Sequence, residues 1–147
     1  MTTEAAAAAV ARGTAVIAVG GDGNLNTVAQ AAHAAGYAIG VIPYGTFNHF
    51  ARSHGISTEP TAALRPLLDA RPMPVQVAAS NDRVFLVNAS LGVYPELLQD
   101  RREVVVTFDG EVALMRAPID IRVLDKPLYL LQATGAAGSA DAPEAVP

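Results

Sequence analysis

The sequence predicts an α/β protein in which a parallel-sheet portion is followed by a shorter antiparallel β portion. Three observations predict it. Two short apolar runs, Thr14–Val19 and Tyr37–Ile42, flank a segment with helical periodicity, the order of a strand–helix–strand unit with a right-handed crossover. The apolar residues are mostly Ala, Val, Ile and Leu, with 5% aromatics and no Trp, which suits a buried parallel sheet covered by helices. From Met73 onward the texture changes to short apolar runs separated by turn residues, as in antiparallel hairpins.

Thr3 to Arg12 is rich in alanine, the best helix former, and Gly13 is placed to stop the helix. Thr14–Val19 is β-branched, apolar and bounded by glycines, and reads as a buried strand. After the turn at Gly20–Gly23, Leu25, Val28, Ala29, Ala32 and Ala35 recur at helical spacing until Gly36. Tyr37–Ile42 is a second strand, Pro43 to Asn48 a loop, and His49 to about His54 a short helix. Thr58 is an N-cap candidate for a further helix, with Pro60 in its first turn and a bend at Pro66 before its end near Ala70. Met73–Ala79 and Arg83–Ala89 flank Ser80-Asn81-Asp82 as a hairpin. Glu103–Phe108, Ile119–Leu124 and Leu128–Leu131 are further short strands, with Asp109-Gly110 a hairpin turn. The small, polar, proline-containing stretch from Ala133 to Pro147 is expected to be disordered. The expected division is therefore 1–72 α/β, 73–132 β-rich and 133–147 tail.

The chain has 147 residues, 51% of them hydrophobic, enough for one domain and a small appendage. A net charge of −4 provides no general attraction for nucleic acid or an anionic membrane. With no cysteine, disulfides and thiolate zinc sites are excluded. Met1-Thr2-Thr3-Glu4 leads into alanines without a basic secretory n-region, and the apolar runs are too short to span a bilayer, so a cytoplasmic location is expected.

Gly20, Gly21 and Gly23 sit between an apolar strand and a helix. The first turn of a helix has unpaired N–H groups and the positive end of the macrodipole, and glycine lets a polyphosphate approach them. Asp22 would repel bare phosphate, but it makes sense if Mg²⁺ bridges it to a nucleotide. The other reading of the same spacing is a tight turn in which Asp22 caps its own helix.

Val19 to Asn26 (VGGDGNLN) resembles the GGDGT-L-N element shared by diacylglycerol kinases, NAD kinases and phosphofructokinases. Ile42 to Arg52 (IPYGTFNHFAR) resembles the I-P-x-G-T-x-N-D-F-A-R element of the diacylglycerol and sphingosine kinase superfamily. Val87 to Gly92 (VNASLG) is similar to that family's N-x-A-S-x-G segment. The three motifs come in the family's order, and the resemblance covers about residues 5 to 99.

The resemblance implies a nucleotide-binding domain of the NAD kinase/diacylglycerol kinase-like type, with its two glycine loops at the carboxyl ends of neighbouring strands. It implies that Gly20, Gly21, Asp22 and Gly23 meet the phosphates of ATP, that Gly45, Thr46 and Asn48 contact nucleotide, and that Asp22 is the residue directed at Mg²⁺. In the family an Asp-Gly-Glu element follows in the β-rich portion, with the Asp as base. Here that element is Asp109-Gly110-Glu111, making Asp109 and Glu111 the catalytic candidates. Asp-Gly between two apolar runs is equally a hairpin turn, and that reading stays open.

The chain also departs from the family pattern. Asn24 stands at the usual Thr and Thr27 where a Glu often follows, while His49 takes the place of the Asp in G-T-x-N-D. His49 reads as a helix-start residue, with a ligand or proton-shuttle role as the alternative. The family's first strand and its N-P-x-S-G turn have no counterpart, and the stretch from Gly92 to Asp109 is much shorter than in family members.

The expectation is thus a truncated relative of the ATP- and Mg²⁺-dependent lipid kinases, acting on a lipid hydroxyl such as that of diacylglycerol at a membrane surface. A non-catalytic or partner-dependent nucleotide-binding fragment, another GGDG-type kinase such as NAD kinase, and a ligand-free structural protein are the alternatives. Uncovered sheet edges add an expectation of self-association.

Overall fold

The computed structural model describes residues 3–13, 15–92 and 103–133. The chain opens with α1 (Thr3–Val10), β1 (Ala15–Gly20), α2 (Asp22–Ala35) and β2 (Ala38–Pro43). β1 and β2 run parallel in unbroken register from Ala15–Ala38 to Gly20–Pro43. Leu25, Val28, Ala29 and Ala32 form the buried stripe that packs α2 on the sheet, the spacing expected of a one-sided helix. Gly36 ends α2 in the left-handed conformation at φ 75°, with its N–H turned back to the carbonyls of the last turn.

Next come α3 (His49–Ser53), α4 (Pro60–Leu64), a 3-10 turn (Arg65–Asp69) and β3 (Ala70–Val75). Glu59, not Thr58, occupies the N-cap position of α4, and the helix tightens at Arg65-Pro66 instead of bending onward. Proline at 66 lacks the N–H an α-helix would need there. Leu67 of that turn and Ile17 of β1 both lie against Gly40, so the second face of the sheet is partly covered from this side.

The remaining strands are β4 (Ala78–Ser80), β5 (Arg83–Phe85), β6 (Ala89–Gly92), β7 (Glu103–Phe108), β8 (Glu111–Arg116), β9 (Ile121–Val123) and β10 (Leu128–Ala133). Two three-stranded antiparallel sheets, β5-β4-β9 and β6-β7-β8, form the β portion. The run Met73–Ala79, expected as one strand, is split between two sheets.

β10, expected among the antiparallel strands, instead returns to the first sheet, whose order is β1-β2-β10-β3. It lies parallel to β2 and antiparallel to β3. Leu128 and Leu130 are fully buried beside Ile39, a site that only a mainly apolar strand can fill. β3 is the edge partner, and its Pro72 and Pro74, which cannot donate to a ladder, fit an edge. Of the expected tail, 133–147, Ala133 is instead the last residue of β10, and 134–147 lie outside the described residues.

Candidate active site

Both glycine loops leave the carboxyl ends of β1 and β2, and they touch through their backbones. A Cβ on Gly21 would stand 3.2 Å from the Cα of Gly45, and a Cβ on Gly45 would collide with the Cα of Gly21. Tyr44 N–H donates to the Gly20 carbonyl at 2.9 Å, tying the start of the second loop to the end of β1. Gly20 itself has φ 152°, a conformation L side chains rarely adopt.

Asp22 does not cap its own helix. Gly21 is the N-cap of α2 and provides no side-chain hydrogen bond, so the first turn of this 14-residue helix has no side-chain cap. The Asp22 carboxylate reaches across to α3, accepting the N–H of His49 at 3.0 Å and of Phe50 at 3.2 Å. Asn48, the N-cap of α3, sits at φ 51° and makes no cap bond of its own, so Asp22 does that work from the other loop. Each Asp22 oxygen thus keeps a lone pair for a cation or water.

Asn48 is buried, and its amide donates to the Gly45 carbonyl at 2.8 Å. That bond fixes the amide orientation and leaves Asn48 Oδ1 buried without a partner. An unpaired buried acceptor at this position calls for an N–H, an O–H or a cation. Thr46 is exposed at the loop tip, beside Phe47, whose ring stacks on His49 at 5.6 Å.

The Asp109-Gly110 turn joins β7 to β8 with φ 48° and 89°, both positive as a two-residue hairpin with Asp-Gly requires. The two carboxylates beside it face different ways. Asp109 points inward and is fully engaged: Oδ1 accepts from Val87 N at 2.8 Å and Asn88 N at 3.0 Å, while Oδ2 accepts from Leu86 N at 2.8 Å and Asn26 Nδ2 at 2.6 Å. Glu111 points at the phosphate loop, and its Oε1 lies 2.5 Å from where a Cβ of Gly23 would be. Its other oxygen accepts from Arg83 Nη2 at 2.9 Å. To act as a base, Asp109 would first have to release one of its four donors.

Gly21, Asp22, Gly45 and Asn48 therefore converge, Glu111 adjoins Gly23, and Asp109 is linked to α2 through Asn26, one turn beyond the loop. Asn26, the last residue of the glycine motif, and Gln30, to which the sequence gives no role, dock α2 on β5. Asn26 donates to Val84 O at 3.1 Å, and Gln30 accepts from Val84 N at 2.8 Å. Polar residues four apart, Asn26 buried beside the apolar stripe, were the available signal.

Among the described residues no group of three His, Cys, Asp or Glu could hold a metal by itself. A single carboxylate with open lone pairs still suits Mg²⁺, which is commonly held by one or two carboxylates together with substrate phosphates and water. The two-glycine contact and the uncapped α2 terminus likewise suit a polyphosphate. A cavity of about 180 Å³ lies elsewhere, between Val41, His54, Ile56, Leu67 and Leu131.

The chain is similar over part of its length to proteins described as lipid kinases. The chain is 40% identical to the probable lipid kinase YegS-like of Klebsiella pneumoniae (strain 342) over 79 residues, 52% of this chain and 27% of that protein. It is 46% identical to the protein of the same description from Pseudomonas aeruginosa (strain UCBPP-PA14) over 79 residues, again 52% of this chain and 26% of the other. A diacylglycerol kinase of Staphylococcus carnosus (strain TM300) is 33% identical over 100 residues, 67% of this chain and 33% of that one. The chain thus spans about a quarter to a third of the length of these relatives. The fold matches the crystal structure of a diacylglycerol kinase from Bacillus anthracis str. Sterne with a TM-score of 0.69 at 15% identity, covering 92% of this chain and 81% of that one. The diacylglycerol kinase catalytic domain family matches residues 1–80, more than half of the chain, and the chain belongs to that family.

Proposed function

We propose that the chain binds Mg²⁺–ATP across the two glycine loops and directs its γ-phosphoryl group to a lipid hydroxyl, such as that of diacylglycerol. The observation that carries this reading is the backbone contact of Gly21 with Gly45 at the uncapped N-terminus of α2. The first N–H groups of α2, which carry no side-chain cap, are the donors offered to phosphate oxygens, and Gly20, Gly21 and Gly23 let Asn24, Gly45 and Glu111 pack close beside them. Thr46, exposed at the loop tip, meets the nucleotide, and Asn48, whose amide holds the Gly45 carbonyl, sets the shape of the loop that receives it. Asp22 would hold Mg²⁺ with its remaining lone pairs, and the bound ion would supply charge neutralisation at the phosphates.

Phosphoryl transfer needs a proton acceptor near the incoming hydroxyl. Of the Asp109–Glu111 pair, Glu111 has the exposed carboxylate, with 47% of its side chain accessible, and it faces Gly23. Asp109 fixes the turn that presents it. We assign Glu111 the proton-accepting role and Asp109 the anchoring one. The acceptor would be met at a membrane surface, with the protein in the cytoplasm and peripheral to the bilayer. No helix among the described residues is long and apolar enough to cross a membrane.

The test is a nucleotide titration with and without Mg²⁺, followed by transfer of labelled γ-phosphate to diacylglycerol and related alcohols in mixed micelles. Mg²⁺-dependent binding with a labelled lipid product supports the reading, and a lack of nucleotide binding sinks it.

One observation favours a second reading, that of a nucleotide-binding fragment completed by a partner. Among the described residues β1 is paired on one side only, and Ile17 and Val19 on it are 49% and 58% exposed. An apolar edge strand invites another strand. Binding without turnover, together with self-association in sedimentation that Val19→Lys weakens, would favour it.

A further inference from the structure

Arg83, at the start of β5, touches both residues that flank the Asp109-Gly110 turn. Phe108 and Glu111 face each other across the β7–β8 ladder. The Arg83 guanidinium lies over the Phe108 ring, 5.0 Å from its centroid, and donates through Nη2 to Glu111 Oε2 at 2.9 Å. Phe108 is fully buried and cannot move aside. An exposed ion pair between two flexible side chains holds little by itself. Here the planar cation is fixed on an aromatic face, a geometry that Lys reproduces poorly.

The consequence falls on the other oxygen of Glu111. With Oε2 tied to Arg83, Oε1 is turned onto Gly23, and the Glu111 side chain fills the space a Cβ there would need: Oε1 at 2.5 Å, Cδ at 3.1 Å and Cγ at 3.2 Å. A free glutamate would swing away from such a clash at little cost. A glutamate held at its far end would not.

We propose that Arg83 is a positioning residue for phosphoryl transfer, holding the Glu111 carboxylate against the first turn of α2, where the phosphates are to lie. The proposal deepens the kinase reading and rests on it for its catalytic meaning. Its geometric content, that Arg83 holds Glu111 on Gly23, stands apart from activity. Arg83 acts through Glu111, since its guanidinium is occupied by Phe108 and the carboxylate.

The full chain tests both parts. In a thermal-melting cycle, Gly23→Ala should lower the Tm when Arg83 is present, because the new methyl meets a tethered carboxylate. In an Arg83→Gln background the same change should cost less or become stabilising, since Ala is the better helix residue once Glu111 can move. Equal losses in both backgrounds would overturn the positioning role. In transfer assays Arg83→Gln should lower kcat on the order of tenfold, with KM for ATP little changed, as expected for misplacement of a reacting group. Arg83→Lys should recover only part of the loss. Unchanged kcat, or a rise in KM that accounts for the whole effect, would count against the proposal. Absence of turnover in the unmodified chain would instead sink the kinase reading, leaving the melting cycle to decide whether Arg83 holds Glu111.

Discussion

Asn26 of α2 donates to Asp109 at 2.6 Å, joining the helix behind the phosphate loop to a hairpin turn 83 residues away. Asn26 is 4% exposed and Asp109 9%, so neither can exchange this bond freely for water. The same carboxylate takes three consecutive backbone N–H groups, from Leu86 to Asn88. One buried group therefore couples the parallel-sheet portion, β5 and the β7–β8 turn.

Removing that group should be costly. Asp109→Ala strands four donors and should destabilise the chain by roughly 3 kcal/mol, a buried unsatisfied donor costing about 1–3 kcal/mol less any recovered by water. Asn26→Ala should cost less, about 1–2 kcal/mol, because Asp109 retains its three backbone partners. Urea unfolding checks the order; an Asp109→Ala chain as stable as the parent would show that the turn does not depend on its carboxylate.

Gly45→Ala tests the loop contact. The added methyl meets the backbone of Gly21, which cannot rotate away as a side chain could. The loops should separate, at a cost of about 1–3 kcal/mol for overpacking. Nucleotide affinity should fall by about tenfold or more, equivalent to about 1.4 kcal/mol. Isothermal titration of ATP with Mg²⁺ measures it, and retained affinity would place the phosphates elsewhere.

Asp22→Ala should have two separable effects. Loss of the bonds to the N–H groups of His49 and Phe50 removes the cap of α3 and should cost about 1 kcal/mol, as cap substitutions do. The Mg²⁺-dependent part of ATP binding should shrink further than this destabilisation explains. If affinity is the same with and without Mg²⁺ in both proteins, Asp22 only braces the loops.

His54 makes stability depend on pH. Its ring packs on Phe50 at 4.4 Å between centroids, and burial holds its pKa below the ordinary imidazole value. The unfolded chain then binds the proton more readily than the folded one, so stability is fully present above about pH 6.5 and declines as pH falls through the folded value. The Tm should drop between pH 7.5 and 5, and His54→Gln should flatten that part of the profile. A slope that does not change with the substitution would assign the pH effect to other groups.

The strand–helix–strand unit and the glycine turns at 20–23 and 45–48 follow from the order of the residues alone. So do the hairpins at Ser80-Asn81-Asp82, where Ser80 joins the ladder and the turn narrows to Asn81-Asp82, and at Asp109-Gly110. Each is a local matter: apolar spacing selects helix or strand within a few turns, and Asn, Asp and Gly mark positive φ where they stand. The family motifs were legible for the same reason, being short and contiguous.

Where β10 pairs, which loop Asp22 serves, and which way the carboxylates of Asp109 and Glu111 face were set by packing between distant elements. The partners lie far along the chain: 27 residues separate Asp22 from His49, and 28 separate Arg83 from Glu111. Spacing cannot encode such pairs, because a carboxylate takes whichever donors the packed elements bring within about 3 Å. Leu128–Leu131 shows the same limit, since a short apolar run fits a parallel or an antiparallel neighbour equally well until burial beside Ile39 selects one.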